Sequence, residues 1–133
     1  KKTRIAFDEY RIDWSRELTI VEGVFDMTKC SFNTTCLLGS SLKPSHYLFE
    51  KIVENKTPIL LALDTDMEQK KYNIANTLSQ YDIQVRILNL GDYHDLGDMP
   101  RELVKQKSLE APNYSRENRL LSLIGTINSG SIF

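Results

Sequence analysis

Two cysteines among 133 residues, Cys30 and Cys36, stand too far apart for a Cys-x-x-Cys and have no histidine pair to complete a zinc site. They are expected to be ordinary buried thiols in a reducing compartment. No apolar run approaches the ~20 residues that span a bilayer. The opening, "KKTRIAFDEYRIDW", lacks the apolar core of a secretory signal, so a cytoplasmic protein is expected. There is no Gly-x-x-x-x-Gly-Lys-Ser/Thr loop for a nucleotide-driven motor and no zinc ribbon. Neither charge sign dominates: 26% of residues are charged and the formal net is -1. That excludes a global pull toward nucleic acid, though not a local basic face. The length suits one domain with one core.

What is present is an alternation of strand and helix signals. "LTIVEG" (Leu18–Gly23) is a β-branched apolar run, and "VFDMTKCSF" follows it with helical spacing of Phe25, Met27 and Cys30. "TTCLLG" (Thr34–Gly39) reads as a second strand. "KPSHYLFEKIVENK" reads as a helix with Pro44 in its first turn, Ser45 able to cap, and an apolar face of Leu48, Phe49, Ile52 and Val53. "TPILLALD" is the third strand. "MEQKKYNIANTLSQY" is a helix with Tyr72, Ile74, Ala75 and Leu78 inward, and "IQVRILNL" alternates like a strand near a sheet edge. A turn-rich acidic loop, "GDYHDLGDMP", leads into one or two helical turns, "RELVKQK". A last amphipathic helix, "SRENRLLSLIGTI", begins at Ser115. Trp14 is expected to pack an N-terminal arm onto the sheet. The organisation is thus an arm over 1–17, a domain over 18–110, and a C-terminal helix within 111–133 that packs on the domain or leaves it. The start without Met is expected to mark a piece of a longer protein.

Repeated strand–helix units imply parallel strands joined by right-handed crossovers, in an α/β fold of about four strands with helices on both faces. Such sheets bind ligands beyond the carboxyl ends of their strands, at a switch in strand order. If strands one and three are neighbours, in the order 2-1-3-4, Glu22 lies beside Asp64. Asp26, Asp66, Asp92, Asp95 and Asp98 fall on the same rim. Like charges ~4 Å apart cost on the order of 4 kcal/mol at a surface-like dielectric. The nearest cations in sequence, Lys70 and Lys71, sit a turn into the helix. A divalent ion is the better counter-charge, because Mg²⁺ takes one or two carboxylates, waters and substrate phosphates. Asp66 has a second reading: with Gln69 three residues on, it fits a capping box. His46 suits a helix face, and His94 suits solvent. Ser40, in "GSS", can offer a backbone phosphate cradle or a plain turn. Arg101, Lys105, Lys107, Arg116 and Arg119 can meet a nucleic-acid backbone or simply be solvated.

"TIVEGVFD", "CLLGSSLKPSHYLFEKI" and "ILLALDTDMEQKKYNIANTL" together resemble the Toprim domain of DNA primases, topoisomerases and some nucleases, a Rossmann-like fold. The likeness covers roughly Leu18 to Met99. It rests on Glu22-Gly23 after strand one and Asp64-Thr65-Asp66 after strand three; "LLGSSLKPSH" and "HDLGDM" are similar to the primase branch in particular. Thr65 and the "MEQ" that follows Asp66 depart from the primase pattern. The resemblance implies Glu22 as the general acid or base, and Asp64 and Asp66 as ligands of Mg²⁺ or Mn²⁺. Asp26, Asp95 and Asp98 are further metal or site candidates. Ser40, Lys70, Lys71 and Arg101 are candidate phosphate or nucleic-acid contacts. The implied activity is metal-dependent nucleotidyl transfer, primer synthesis on single-stranded DNA, with nucleotides, a template and a replicative helicase as partners and no membrane. A Toprim nuclease would share the same residues. A receiver-like signalling module is disfavoured, since it wants an acidic pair after strand one and a lysine after a fifth strand.

Overall fold

The computed structural model describes residues 9–30, 33–37 and 42–115. Four strands, β1 (Leu18–Val21), β2 (Thr34–Cys36), β3 (Ile59–Ala62) and β4 (Val85–Ile87), form one all-parallel sheet in the order β2-β1-β3-β4. The expected order and the central place of strands one and three are therefore those observed. β1, β3 and β4 are each shorter than the run read as a strand in the sequence.

Both central strands are buried on both faces, as their unbroken apolar runs require. Leu18, Ile20, Ile59 and Leu61 join a cluster with Leu48, Phe49 and Ile52 of α1 (Tyr47–Asn55) and with Ile74, Ala75 and Leu78 of α2 (Glu68–Gln80). Val21, Leu60 and Ala62 point the other way, toward Val104 of α3 (Arg101–Glu110), Leu96 and Met99. Period-two alternation thus feeds a helical layer on each face. Val53 is only half-buried. Lys71, rather than Tyr72, is the buried residue of its turn: its stem lies along the core while its ammonium reaches Glu68 and lies 5.6 Å from the Tyr72 ring.

Several local expectations differ from what forms. Ser45 does not cap α1. His46 takes that position, and its Nδ1 accepts the Lys43 N–H at 3.2 Å. Residues Val24–Lys29 form a short 3₁₀ turn with no buried residue, and Phe25 faces solvent. A six-residue turn with three residues per rotation has no stripe wide enough to bury. Only Met27 and the half-buried Cys30 pack inward from it; Cys36 is fully buried. Helix α3 runs ten residues, longer than the one or two turns expected.

The arm meets the sheet through Ile12 in the core and through the Trp14 carbonyl, which accepts the Thr57 hydroxyl at 2.6 Å. The exposed side of β4 is covered by residues 111–114. Ile87 N–H donates to Pro112 O, Tyr114 N–H to Val85 O, and Arg86 bridges Asn113 in antiparallel sense. Arg86 also grips Glu17 with two bonds of 2.8 and 2.7 Å, tying this edge to the chain entering β1. The predicted helix from Ser115 onward lies outside the described residues apart from Ser115 itself. The same is true of Gly39 and Ser40. Among the described residues no helix is long and apolar enough to cross a membrane.

Candidate active site

The register fixes the centre of the site. Val21 of β1 pairs with Ala62 of β3, so Glu22 and Asp64 leave adjacent strands at one rim of the sheet. Glu22 Oε1 accepts Lys70 Nζ at 2.6 Å, with both side chains largely covered (Glu22 19% and Lys70 16% exposed). Lys70 therefore meets an acid, whereas the sequence offered it as a phosphate contact. It lies one helical turn beyond Asp66, and rotation along α2 returns it over the rim. The other oxygen, Glu22 Oε2, is buried without a hydrogen-bond partner among the described residues, and so is Asp64 Oδ1.

Asp64 carries the electrostatic load. Its pKa is pushed up to about 6, first by burial and then by the charges of Asp26, Glu22, Asp95 and Asp66. Asp26 is also raised, again chiefly by burial, with the Gly23 hydrogen bond opposing and the Asp95 charge adding. Yet Asp26 has a clear mechanical task. One oxygen accepts the Gly23 N–H at 3.1 Å and the other the Gly97 N–H at 3.0 Å, clipping the end of β1 to the acidic loop after β4. Gly97 is favoured by proximity. A Cβ there would stand 3.2 Å from an oxygen of Asp26 and 3.2 Å from one of Asp95, closer than a methyl group sits comfortably. Asp95 in turn accepts the Asp98 N–H at 3.0 Å and caps the 3₁₀ turn Leu96–Asp98. Asp98 and Asp92 face solvent.

Asp66 behaves differently from its partner two residues earlier. Its side chain is 57% exposed, and His94 Nε2 lies 3.9 Å from one of its oxygens. The capping box does not form: α2 begins after Met67, and no side chain caps it. The intervening 3₁₀ turn Thr65–Met67 displaces Asp66 from the cap position. Thr65 instead ties this turn to the acidic loop, its N–H and hydroxyl both donating to His94 O, at 3.0 and 3.1 Å. Lys71 is turned to Glu68, and Arg101 is exposed at the start of α3.

The donor set suits a hard divalent cation in composition, with two adjacent carboxylates each holding an unpaired, buried oxygen. Among the described residues, however, no three acid, histidine or cysteine side chains converge as a ready-made cage. An ion here would draw the rest of its shell from water or from substrate oxygens, the usual habit of Mg²⁺. The contacts of Lys70 with Glu22, of Gly97 with Asp26 and of Thr65 with His94 are those the sequence did not foretell. A lysine four residues past an acid pair is the one local signal that could have pointed to the first.

No protein-family model matches the sequence, and no curated protein matches it. Two solved structures share its fold. The crystal structure of the Aquifex aeolicus primase, with zinc-binding and RNA polymerase domains, superposes with a TM-score of 0.67 at 16% identity, over 86% of this chain and 31% of that one. A structure of the bacteriophage T7 lagging-strand DNA polymerase, interacting with primase domains of two gp4 subunits bound to an RNA/DNA hybrid and dTTP, gives 0.60 at 16% identity, over 86% of this chain and 64% of that one. The chain thus spans about a third of the first and under two thirds of the second.

Proposed function

We propose that the rim formed by Glu22, Asp26, Asp64, Asp66 and Asp95 is a Toprim-type site for metal-dependent nucleotidyl transfer, and that the chain is the catalytic domain of a DNA primase. The observation that carries this reading is the pair of buried carboxylate oxygens on neighbouring strand ends, Glu22 Oε2 and Asp64 Oδ1, neither with a partner among the described residues. The fold shared with two primase structures supports it, as do the Glu-Gly and Asp-x-Asp motifs.

In this mechanism Asp64 and Asp66 would hold Mg²⁺ or Mn²⁺. The bound ion would neutralise charge developing on the phosphate oxygens. Glu22 moves the proton of the attacking hydroxyl through its free Oε2. Its Oε1 is anchored by Lys70, which fixes the side chain and adds one positive charge to an otherwise acidic rim. Asp26 serves as the clip that keeps the acidic loop over the site. The substrates are nucleotides and a single-stranded template, and a helicase is a fitting partner of the whole protein.

Glu22→Gln in the complete protein tests the reading. Primer synthesis should vanish while circular dichroism shows the fold intact. In parallel, Mn²⁺ should raise the melting temperature of the wild-type chain and leave Asp64→Asn unmoved. Full activity in Glu22→Gln, or equal Mn²⁺ stabilisation of Asp64→Asn, would sink the proposal.

A further inference from the structure

Phe25 is 85% exposed and Val24 beside it 48% exposed, on the turn that directly follows Glu22 and Gly23. The pair puts apolar surface into solvent at the edge of the acid rim. Other large exposed apolar side chains of the described residues lie elsewhere: Tyr10 on the arm, Leu109 on α3, and Tyr81, whose ring already meets Phe49 edge-on at 5.2 Å. The Phe25 backbone is also held firmly. The next residue, Asp26, accepts N–H groups from Gly23 and Gly97, and Thr28 Oγ1 donates to the Phe25 carbonyl at 2.7 Å. A ring on a pinned turn presents one fixed face at low entropic cost.

We infer that Phe25, flanked by Val24, is a stacking platform for a nucleobase of the single-stranded nucleic acid or nucleotide whose phosphate the rim engages. The inference rests on the proposed nucleotidyl-transfer site and adds a base-binding residue to it. Aromatic faces bind bases of any sequence, because every base has a π-face. Position selects this occupant. Phe25 stands between Glu22 and Asp26 in the chain, on the turn that Asp26 fastens to the acidic loop, and that places it beside the path of a base whose phosphate docks at the rim. The same acids repel phosphate unless a divalent ion is bound, so the platform should work only when Mg²⁺ or Mn²⁺ is present.

The test is equilibrium binding of a short oligothymidylate and of its abasic counterpart to the wild-type chain, Phe25→Ala, Phe25→Tyr and Phe25→Trp, with and without Mg²⁺. With Mg²⁺, Phe25→Ala should bind oligothymidylate about 5- to 150-fold more weakly, the span of one lost base–aromatic stack. Phe25→Tyr should restore binding, and Phe25→Trp emission should be quenched on binding while Trp14 in the wild type is not. The abasic strand should bind all four alike. So exposed a side chain leaves folding intact, which melting curves verify. Equal binding of wild type and Phe25→Ala, an equal loss with the abasic strand, or no wild-type binding at all overturns the inference. A protein-docking role for Phe25 would surface as the first of these. The site reading stands or falls separately, on whether Mn²⁺ stabilises the wild-type chain and not Asp64→Asn, a measurement in which Phe25 has no part.

Discussion

Asp64→Asn should make the metal-free protein more stable, and the pH dependence of the gain is the informative part. The folded-state pKa of Asp64 is raised from 3.8 to about 6, by burial first and by Asp26, Glu22, Asp95 and Asp66 after it. In the unfolded chain the same carboxyl titrates near ~3.9. A folded pKa above the unfolded one means that ionising Asp64 costs folding free energy. That cost is absent below about pH 4, grows as the pH rises toward 6, and is complete above it. About two pH units at ~1.4 kcal/mol each set an upper bound of ~3 kcal/mol. Solvent screening at a partly open rim lowers this to ~1–2 kcal/mol. For a domain of this size that is roughly 4–10 °C in melting temperature. Asn keeps the shape and removes the charge, so the mutant should melt above wild type at pH 8 and level with it at pH 4. Calorimetry or circular dichroism across that range in chelator decides the matter. A gain as large at pH 4 as at pH 8, or a loss at pH 8, would refute the claim that acid crowding strains this rim.

Other outcomes follow from the same geometry. Lys70→Met removes the cation that, among the described residues, contacts Glu22, at 2.6 Å and under 20% exposure. It should destabilise the metal-free protein by ~1–3 kcal/mol and enlarge the stabilisation that Mn²⁺ gives; a neutral effect on melting would mean the pair contributes nothing. Thr19 lies 1% exposed on β1 with its hydroxyl unpaired among the described residues. Thr19→Val should therefore raise stability by ~0.5–2 kcal/mol in urea unfolding, since it deletes an unpaired hydroxyl at constant shape; a loss would show that Oγ1 has a partner in solution.

The sheet was legible in the sequence because its strands are buried on both faces. "LTIV" and "ILLA" leave no polar face to choose, and alternation with helical segments dictates parallel pairing. Strand ends then bring Glu22, Asp64 and the "DLGD" loop to one rim, since each acid follows its strand within a residue or a short loop. What the acids do to one another was decided by tertiary structure. Asp66 matched a capping box, but an extra 3₁₀ turn moved the helix start to Glu68 and turned the carboxylate to solvent. Asp26 resembled a site acid, yet both its oxygens are taken by backbone N–H groups, one of them 71 residues away. Lys70 looked remote from Glu22 because 48 residues separate them; only the rotation of α2 over β1 closes that gap. Phe25 fitted an apolar helical spacing until a 3₁₀ turn, too short to bury a face, left it in solvent. Periodicity is a local property and reads from one segment. Charge pairing, desolvation and exposure are set by what another segment brings alongside, and no local pattern encodes that.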